Sequence, residues 1–213
     1  MRLFAIFALP LLAQDPRVPI DNEQVKVIKV TQQPHVKTKP HDHKVNRVMV
    51  YLDPGTQNFD YEKKGKSVVK WKAGEALWSP AAGTHVAEIV SDKPVTIVEI
   101  ELKKPGGKAK AGATPLDPPK IDPKHYKVEF ENEQVRVLRV KIGGKETAPM
   151  HEHLLGRVVV YLTDQDFKVT NADGKAEMVK HKAGESSWGG AAKHKEENLS
   201  DKPFEVLVVE TKG

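Results

Sequence analysis

The chain has no cysteine. Disulfides, thiolate metal ligands and a cysteine nucleophile are therefore excluded, and the redox compartment is left open. Aromatic residues make up only 6%, and no basic face interleaves with them, so nucleic acid is not an expected partner. The net charge of +5 does not change this. The stretch from Lys103 to Lys124 holds six Lys against two Asp, a net of +4, which leaves the rest almost neutral. There is no convincing helical period, no phosphate loop and no Ser-His-Asp order. The longest apolar run, Leu3 to Ala13, is too short to span a bilayer. It follows Met1-Arg2 and precedes the polar Gln14-Asp15-Pro16, the pattern of a short secretory signal cut after Ala13. Residues 1–13 are expected to be removed, giving a periplasmic or secreted protein with no stable membrane insertion.

What the chain does have is an internal repeat. Asp21-Asn22-Glu23-Gln24-Val25 recurs as Glu131-Asn132-Glu133-Gln134-Val135, an offset of 110 (131 less 21). The offset persists from Arg47 to Leu52 against Arg157 to Leu162, and from Lys72 to Glu75 against Lys182 to Glu185. Ser91-Asp92-Lys93-Pro94 then matches Ser200-Asp201-Lys202-Pro203 at 109 (200 less 91), so one residue is missing between Ala192 and Ser200. The chain thus reads as two copies of one domain, 17–102 and 125–212. Residues 103–124, rich in Lys, Ala and Pro, read as a flexible linker. Within each copy, short β-branched runs alternate with turns such as Asp53-Pro54-Gly55 and Asn171-Ala172-Asp173-Gly174. That pattern predicts an all-β fold, a small sandwich or barrel per copy. Lys26 and Lys29, matched by Arg136 and Arg139, are expected on solvated strand faces.

Each copy also carries a His-acid-His triplet, His41-Asp42-His43 and His151-Glu152-His153. On a strand, residues i and i+2 project to one side, so each triplet turns two imidazoles into one space and its acid away. Two imidazoles make a site for a divalent metal but need a third ligand. A later histidine in each copy, His85 and His194, supplies a candidate. His35, His125 and His181 have no counterparts across the repeat and read as ordinary surface histidines. Trp78 and Trp188, each four residues after a Gly, read as core or pocket-wall side chains, with ligand contact as the alternative.

These motifs in order, His-x-His and then Gly, Pro or Gly, and His, resemble those of the cupin superfamily. The resemblance covers nearly the whole chain and is to a bicupin. The second half is most similar to small single-domain cupins through Lys182 to Glu185, Trp188, Ala192, His194, Glu197 and Asn198. It implies two tandem antiparallel β-barrels of jelly-roll type, with His41, His43 and His85, and His151, His153 and His194, as metal ligands for iron, zinc, manganese, nickel or copper. It further implies an oxygenase, decarboxylase or isomerase acting on a small carboxylate. The alternative is a non-catalytic cupin that binds a small anion or serves a structural role.

The departures carry as much information. Where the family usually places a Glu ligand, both copies have Arg: Arg47 and Arg157. Ile89 stands where an Asn is expected in the first copy, and Ala82 and Ala192 replace a Gly. On a regular strand Arg47 shares the parity of His41 and His43. At roughly 6 Å and an effective dielectric of about 20 it would repel a divalent ion by around 5 kcal/mol. Either a bound anion offsets this, making Arg47 and Arg157 ligand-binding residues, or a protein carboxylate does. Glu88 and Glu197, or Glu101 and Glu210, are candidates because both copies carry them. The deletion places His194 one residue early relative to His85, so the second His set is expected to converge less well than the first.

Overall fold

The computed structural model describes residues 16–213, so the expected signal segment lies outside the described residues. The first copy contains β1 (Arg17–Asp21), β2 (Val25–Gln32), β3 (His41–His43), β4 (Arg47–Tyr51), β5 (Gly55–Tyr61), β6 (Gly65–Trp71), β7 (Glu75–Ser79), β8 (Ala82–Ile89) and β9 (Val95–Leu102). A single turn of helix, α1 (Pro118–Ile121), follows. The second copy contains β10 (Tyr126–Glu131), β11 (Val135–Ile142), β12 (Thr147–His153), β13 (Arg157–Tyr161), β14 (Gln165–Asn171), β15 (Ala176–His181), β16 (Ser186–Gly189), β17 (Ala192–Asn198) and β18 (Phe204–Thr211). Each copy folds into two antiparallel sheets, ordered β1-β2-β9-β4-β7 and β3-β8-β5-β6, and then β10-β11-β18-β13-β16 and β12-β17-β14-β15. This is the expected pair of jelly-roll barrels.

The five-stranded sheets are apolar on both faces. In β4, Met49 and Tyr51 join Trp71, Ile89, Val95 and Ile97 inside the first barrel. The intervening Val48 and Val50 face the other way, into a cluster with Val25, Val98, Ile100, Val135, Val158, Val160, Leu207 and Val209 from both copies. The second barrel has its own interior around Tyr126, Leu138, Val140, Tyr161, Phe167 and Phe204. Three cores result, one per barrel and one between them. Period-two alternation explains all three, because a strand with β-branched residues at both parities can bury both faces.

The cross-barrel contact is reciprocal. Gly74 and Gly184, the glycines of the repeated Lys-Ala-Gly-Glu turns, have φ of 75° and 80°, a region glycine enters without steric cost. The Gly184 carbonyl accepts from Lys29, and the Gly74 carbonyl accepts from Arg139. Lys29 and Arg139 therefore lie in the interface rather than on solvated faces. Arg136 departs further from that expectation: it is buried and ion-paired to Glu210 and Asp117 at 2.6 and 2.8 Å.

The segment expected as a flexible linker is packed over its second half. Ala111, Thr114, Asp117 and Asp122 are buried. Arg136 holds Asp117, and Thr114 Oγ1 donates to Glu152 at 2.5 Å. His125 is buried as well, bonded to Asp122 at 2.7 Å and Glu146 at 2.9 Å. These anchors are polar and irregularly spaced, so they leave no apolar period to read.

Candidate metal centres

Strand pairing brings the six histidines into two clusters. His41 lies opposite His85 on the β3–β8 ladder, and His151 opposite His194 on β12–β17. In each cluster one nitrogen from each of the three imidazoles lies within 4.8 Å of the others. The ring separations nearly superimpose: 5.0, 4.5 and 5.4 Å among His41, His43 and His85, and 5.2, 4.5 and 5.6 Å among their counterparts.

The second cluster converges as well as the first, contrary to expectation, and the ladders show why. In β12–β17 the pairs run His151 to His194, Glu152 to Lys193 and His153 to Ala192 without interruption. In β3–β8, His41 pairs with His85 but His43 pairs with Ala82, and the extra residue is taken up as a bulge. The missing residue therefore regularises the ladder instead of displacing His194.

Hydrogen bonds fix the ring orientations. The Nδ1–H groups of His41, His85 and His151 donate to the carbonyls of Lys39, Gly83 and Pro149 at 2.8, 3.1 and 2.8 Å. His153 Nδ1–H donates to the Glu210 carboxylate at 2.7 Å. Because these partners only accept, each Nδ1 carries a proton, and in the neutral tautomer this leaves the Nε2 lone pair as the metal donor. Burial pulls His43 down to about 3, reinforced by the charge of Arg47. Burial also brings His194 to about 3, against the opposing pull of Glu196, and lowers His85 and His153. Neutral imidazoles with inward lone pairs are the donor set a divalent ion needs, so the residues present fit a metal.

The two arginines have different surroundings. Arg47 is buried and ion-paired to Glu99 at 2.9 Å, with Ser79 Oγ accepting a second bond at 2.9 Å. Across the ladder Arg47 faces Glu101, yet its guanidinium reaches diagonally to Glu99 on the same face. None of the carboxylates shared by both copies is its partner: the position equivalent to Glu99 (99 plus 109) is Val208, so the repeat conceals the pair. Arg157 bonds instead to the Gly190 carbonyl, and among the described residues no carboxylate reaches it within ion-pair distance. Burial holds its guanidinium below the ordinary value despite the fields of Glu196 and Glu210. Arg136 shows the opposite balance: burial again lowers it, but Glu210 and Asp117 outweigh that and raise it.

The cavities differ accordingly. The first, about 190 Å³, is bordered by His41, His43 and Arg47 and narrowed by Phe59 and Tyr61, whose rings lie 5.5 and 4.8 Å from that of His85. The second, about 360 Å³, is bordered by His153, His194, Arg157, Tyr126 and Glu196. Val169 and Asn171 occupy the places of Phe59 and Tyr61 there. A larger cleft of about 580 Å³ lies between the barrels but contains no histidine. Trp78 and Trp188 lie opposite Val48 and Val158, pack against the inter-barrel core and also border the first and second cavities respectively. Asn198 is a buried clamp, donating to the carbonyls of Ile142, Gly143 and Lys202.

Glu99, Tyr126 and Glu196 complete the two sites and are not expected from the sequence; Glu210, expected as an arginine partner, holds His153 and Arg136 rather than Arg157. Glu196 alone had a readable signal, since it stands two residues after His194 on a strand and so shares its face.

No family model and no curated protein matches the chain. Solved structures do. Oxalate decarboxylase of Bacillus subtilis, which carries Mn(II) centres, is similar over 89% of this chain and 69% of its own, with a TM-score of 0.63 and 14% identity. AerE from Microcystis aeruginosa is similar over 92% of this chain and 96% of its own, with a TM-score of 0.63 and 11% identity. A cupin domain from Bordetella pertussis is 30% identical over 42% of this chain and 92% of its own, with a TM-score of 0.39.

Two jelly-roll barrels in one chain, each with three imidazoles turned into its interior, define a double-barrel protein with metal-capable histidine clusters. The fold is the tandem jelly-roll fold that the cupin resemblance implied, with Arg47 and Arg157 at the positions where that resemblance implies a glutamate ligand.

Proposed function

We propose that this protein is a divalent-metal-dependent enzyme acting on a small carboxylate, with the chemistry in the second barrel. The observation that carries this reading is the pairing of a metal-capable histidine cluster with an arginine that lacks an ion-pair partner, in one cavity large enough for a small molecule. His151, His153 and His194 would hold the ion, which when bound supplies a Lewis acid or a redox centre. Arg157 would receive the substrate carboxylate through its guanidinium fork. Valines 140, 159 and 169, with Phe167, form the apolar wall that keeps water from the reacting end. Decarboxylation is the first reaction to test, because the structurally similar oxalate decarboxylase acts on a small dicarboxylate, and an oxygenase or isomerase reaction is next.

For the first barrel a structural or passive binding role is favoured, since Glu99 already neutralises Arg47 and Phe59 and Tyr61 narrow the cavity. Export rests on residues 1–13 and is part of the same proposal; the mature protein would act in the periplasm or outside the cell. No helix among the described residues is long and apolar enough to cross a membrane. The test is a screen of small mono- and dicarboxylates against protein reconstituted separately with manganese, iron, zinc, nickel and copper. Turnover or carbon dioxide release that disappears in Arg157→Gln supports the reading. Turnover unaffected by that substitution, or lost only with changes in the first barrel, contradicts it.

A further inference from the structure

We propose that the second barrel takes a small carboxylate with an ammonium group at its far end, an ω-amino acid, and that Glu177 and Asn171 at the cavity rim select for that group. This rests on the reading that Arg157 receives a carboxylate, and it names the substrate class of that same site.

Both rim residues border the second cavity. On β15, Glu177 shares a face with Val179, which packs against the second barrel's interior. On β14, Asn171 shares a face with Phe167 and Val169 and lies opposite His194. Glu177 lies opposite Val169, which makes it a diagonal neighbour of Asn171 on one wall. Both are exposed. Among the described residues no lysine, arginine or histidine reaches Glu177 within ion-pair distance, and no side-chain hydrogen bond holds either group.

The cavity therefore has two ends of opposite charge. Arg157 stands on β13 in the facing sheet, and Glu177 on the edge strand β15. Facing sheets pack about 10 Å apart, so one small molecule can touch both. Its carboxylate meets the guanidinium fork. Its ammonium, a donor only, meets the Glu177 carboxylate and Asn171 Oδ1, which both accept. β15 is two strands from β17, roughly 10 Å at the ordinary spacing, so that ammonium stays clear of an ion among the histidines. A dicarboxylate would set its second negative charge against Glu177, and an aliphatic monocarboxylate would leave Glu177 without a cation.

The first barrel has neither end. Tyr61 stands in the place of Asn171 (171 less 110) and Ser67 in that of Glu177 (177 less 110). The Tyr61 ring lies 4.8 Å from that of His85, and Arg47 is already held by Glu99. The repeat keeps the histidines and changes the groups around them, which is the pattern of a difference in specificity.

Calorimetric titration of the full chain with 4-aminobutyrate, butyrate and succinate, probes of matched carbon length, tests this. 4-Aminobutyrate should bind about three- to tenfold more tightly than butyrate at low salt, the scale of a partly exposed, hydrogen-bonded ion pair, and succinate no more tightly than butyrate. Added salt should shrink the margin. Glu177→Gln should bring 4-aminobutyrate down to the level of butyrate and leave butyrate unchanged, whereas Arg157→Gln should weaken all three. Glu177 is exposed and unpaired among the described residues, so Glu177→Gln should keep the parent's melting temperature; should it not fold, the ranking of the three probes in the parent still decides. Equal affinity for 4-aminobutyrate and butyrate, tighter binding of succinate, or a preference that survives Glu177→Gln overturns the inference, and the carboxylate reading then stands wherever Arg157→Gln weakens binding. Binding of none of the probes, or binding indifferent to Arg157→Gln, overturns both.

Discussion

Lys29 and Arg139 hold equivalent places in the two barrels, and each donates to the other barrel's glycine turn, at 2.8 Å in both cases. A pairing that is the same in both directions is what a two-fold arrangement of repeated units produces. It encloses a continuous apolar cluster drawn from both copies. The barrels are therefore expected to unfold together. Ile100, fully buried in that cluster, gives about 2–5 kcal/mol of destabilisation when truncated to Ala. Tryptophan fluorescence and circular dichroism should report one coincident denaturant transition in parent and variant alike. Two separated transitions in the parent would show that the barrels are energetically independent.

The two arginines should respond differently to the same substitution. Arg47→Gln strands the buried Glu99 carboxylate, and breaking such a pair costs about 3–5 kcal/mol. Arg157→Gln breaks no ion pair, so stability should change little, while carboxylate binding weakens by about 1.5–3 kcal/mol. Thermal melts and calorimetric titration with a small dicarboxylate on both variants check this. A large stability loss in Arg157→Gln with unchanged anion binding would reverse the assignment.

Glu210 orients His153 while also pairing with Arg136. Removing its charge with Glu210→Gln should weaken metal binding in the second barrel by about 10–100-fold and leave the first barrel unaffected. Titration of the variant alongside His85→Ala, which leaves only the second cluster complete, separates the two contributions. An effect confined to stability would make Glu210 a structural partner of Arg136 alone.

Acid should loosen the Lys124–His125 segment, which follows α1, from the second barrel. The Lys124 ammonium, then His125 and the Gly143 amide, hold the Glu146 carboxyl at about 2, well below its ordinary value. Because the folded value is the lower one, the stability Glu146 contributes is fully present above about pH 4.5 and is lost as pH falls toward 2. Glu146→Gln should flatten the melting temperature over that window and lower it above pH 5. An unchanged acid profile in the variant would show that Glu146 is not linked to folding.

Much of this molecule is legible in its sequence because a repeat and a period-two pattern are local signals. The His-x-His triplets reveal their geometry because strand parity is fixed, and the later histidines follow from the spacing that both copies share. Elements present in one copy only are harder to read. Glu99 holds Arg47 from a position where the other copy has Val208, so a search for shared carboxylates passes over it. Tyr126 enters the second site from a strand far from the triplet in sequence, with no partner in the first copy. Residue counting points to a weaker second cluster, but the irregularity between the two triplet histidines lies in the first barrel, and that of β12 lies before His151. Lys29 and Arg139 resemble solvated edge charges until the second barrel covers them.

The most direct test of the account is elemental analysis of the full chain after metal reconstitution and removal of excess ion. Parent protein should retain at least one divalent ion per chain, and His153→Ala, which deletes a buried ligand of the second cluster, should remove the ion that supports carboxylate binding. A parent stoichiometry near zero with every metal tried, or full retention in His153→Ala, would contradict it.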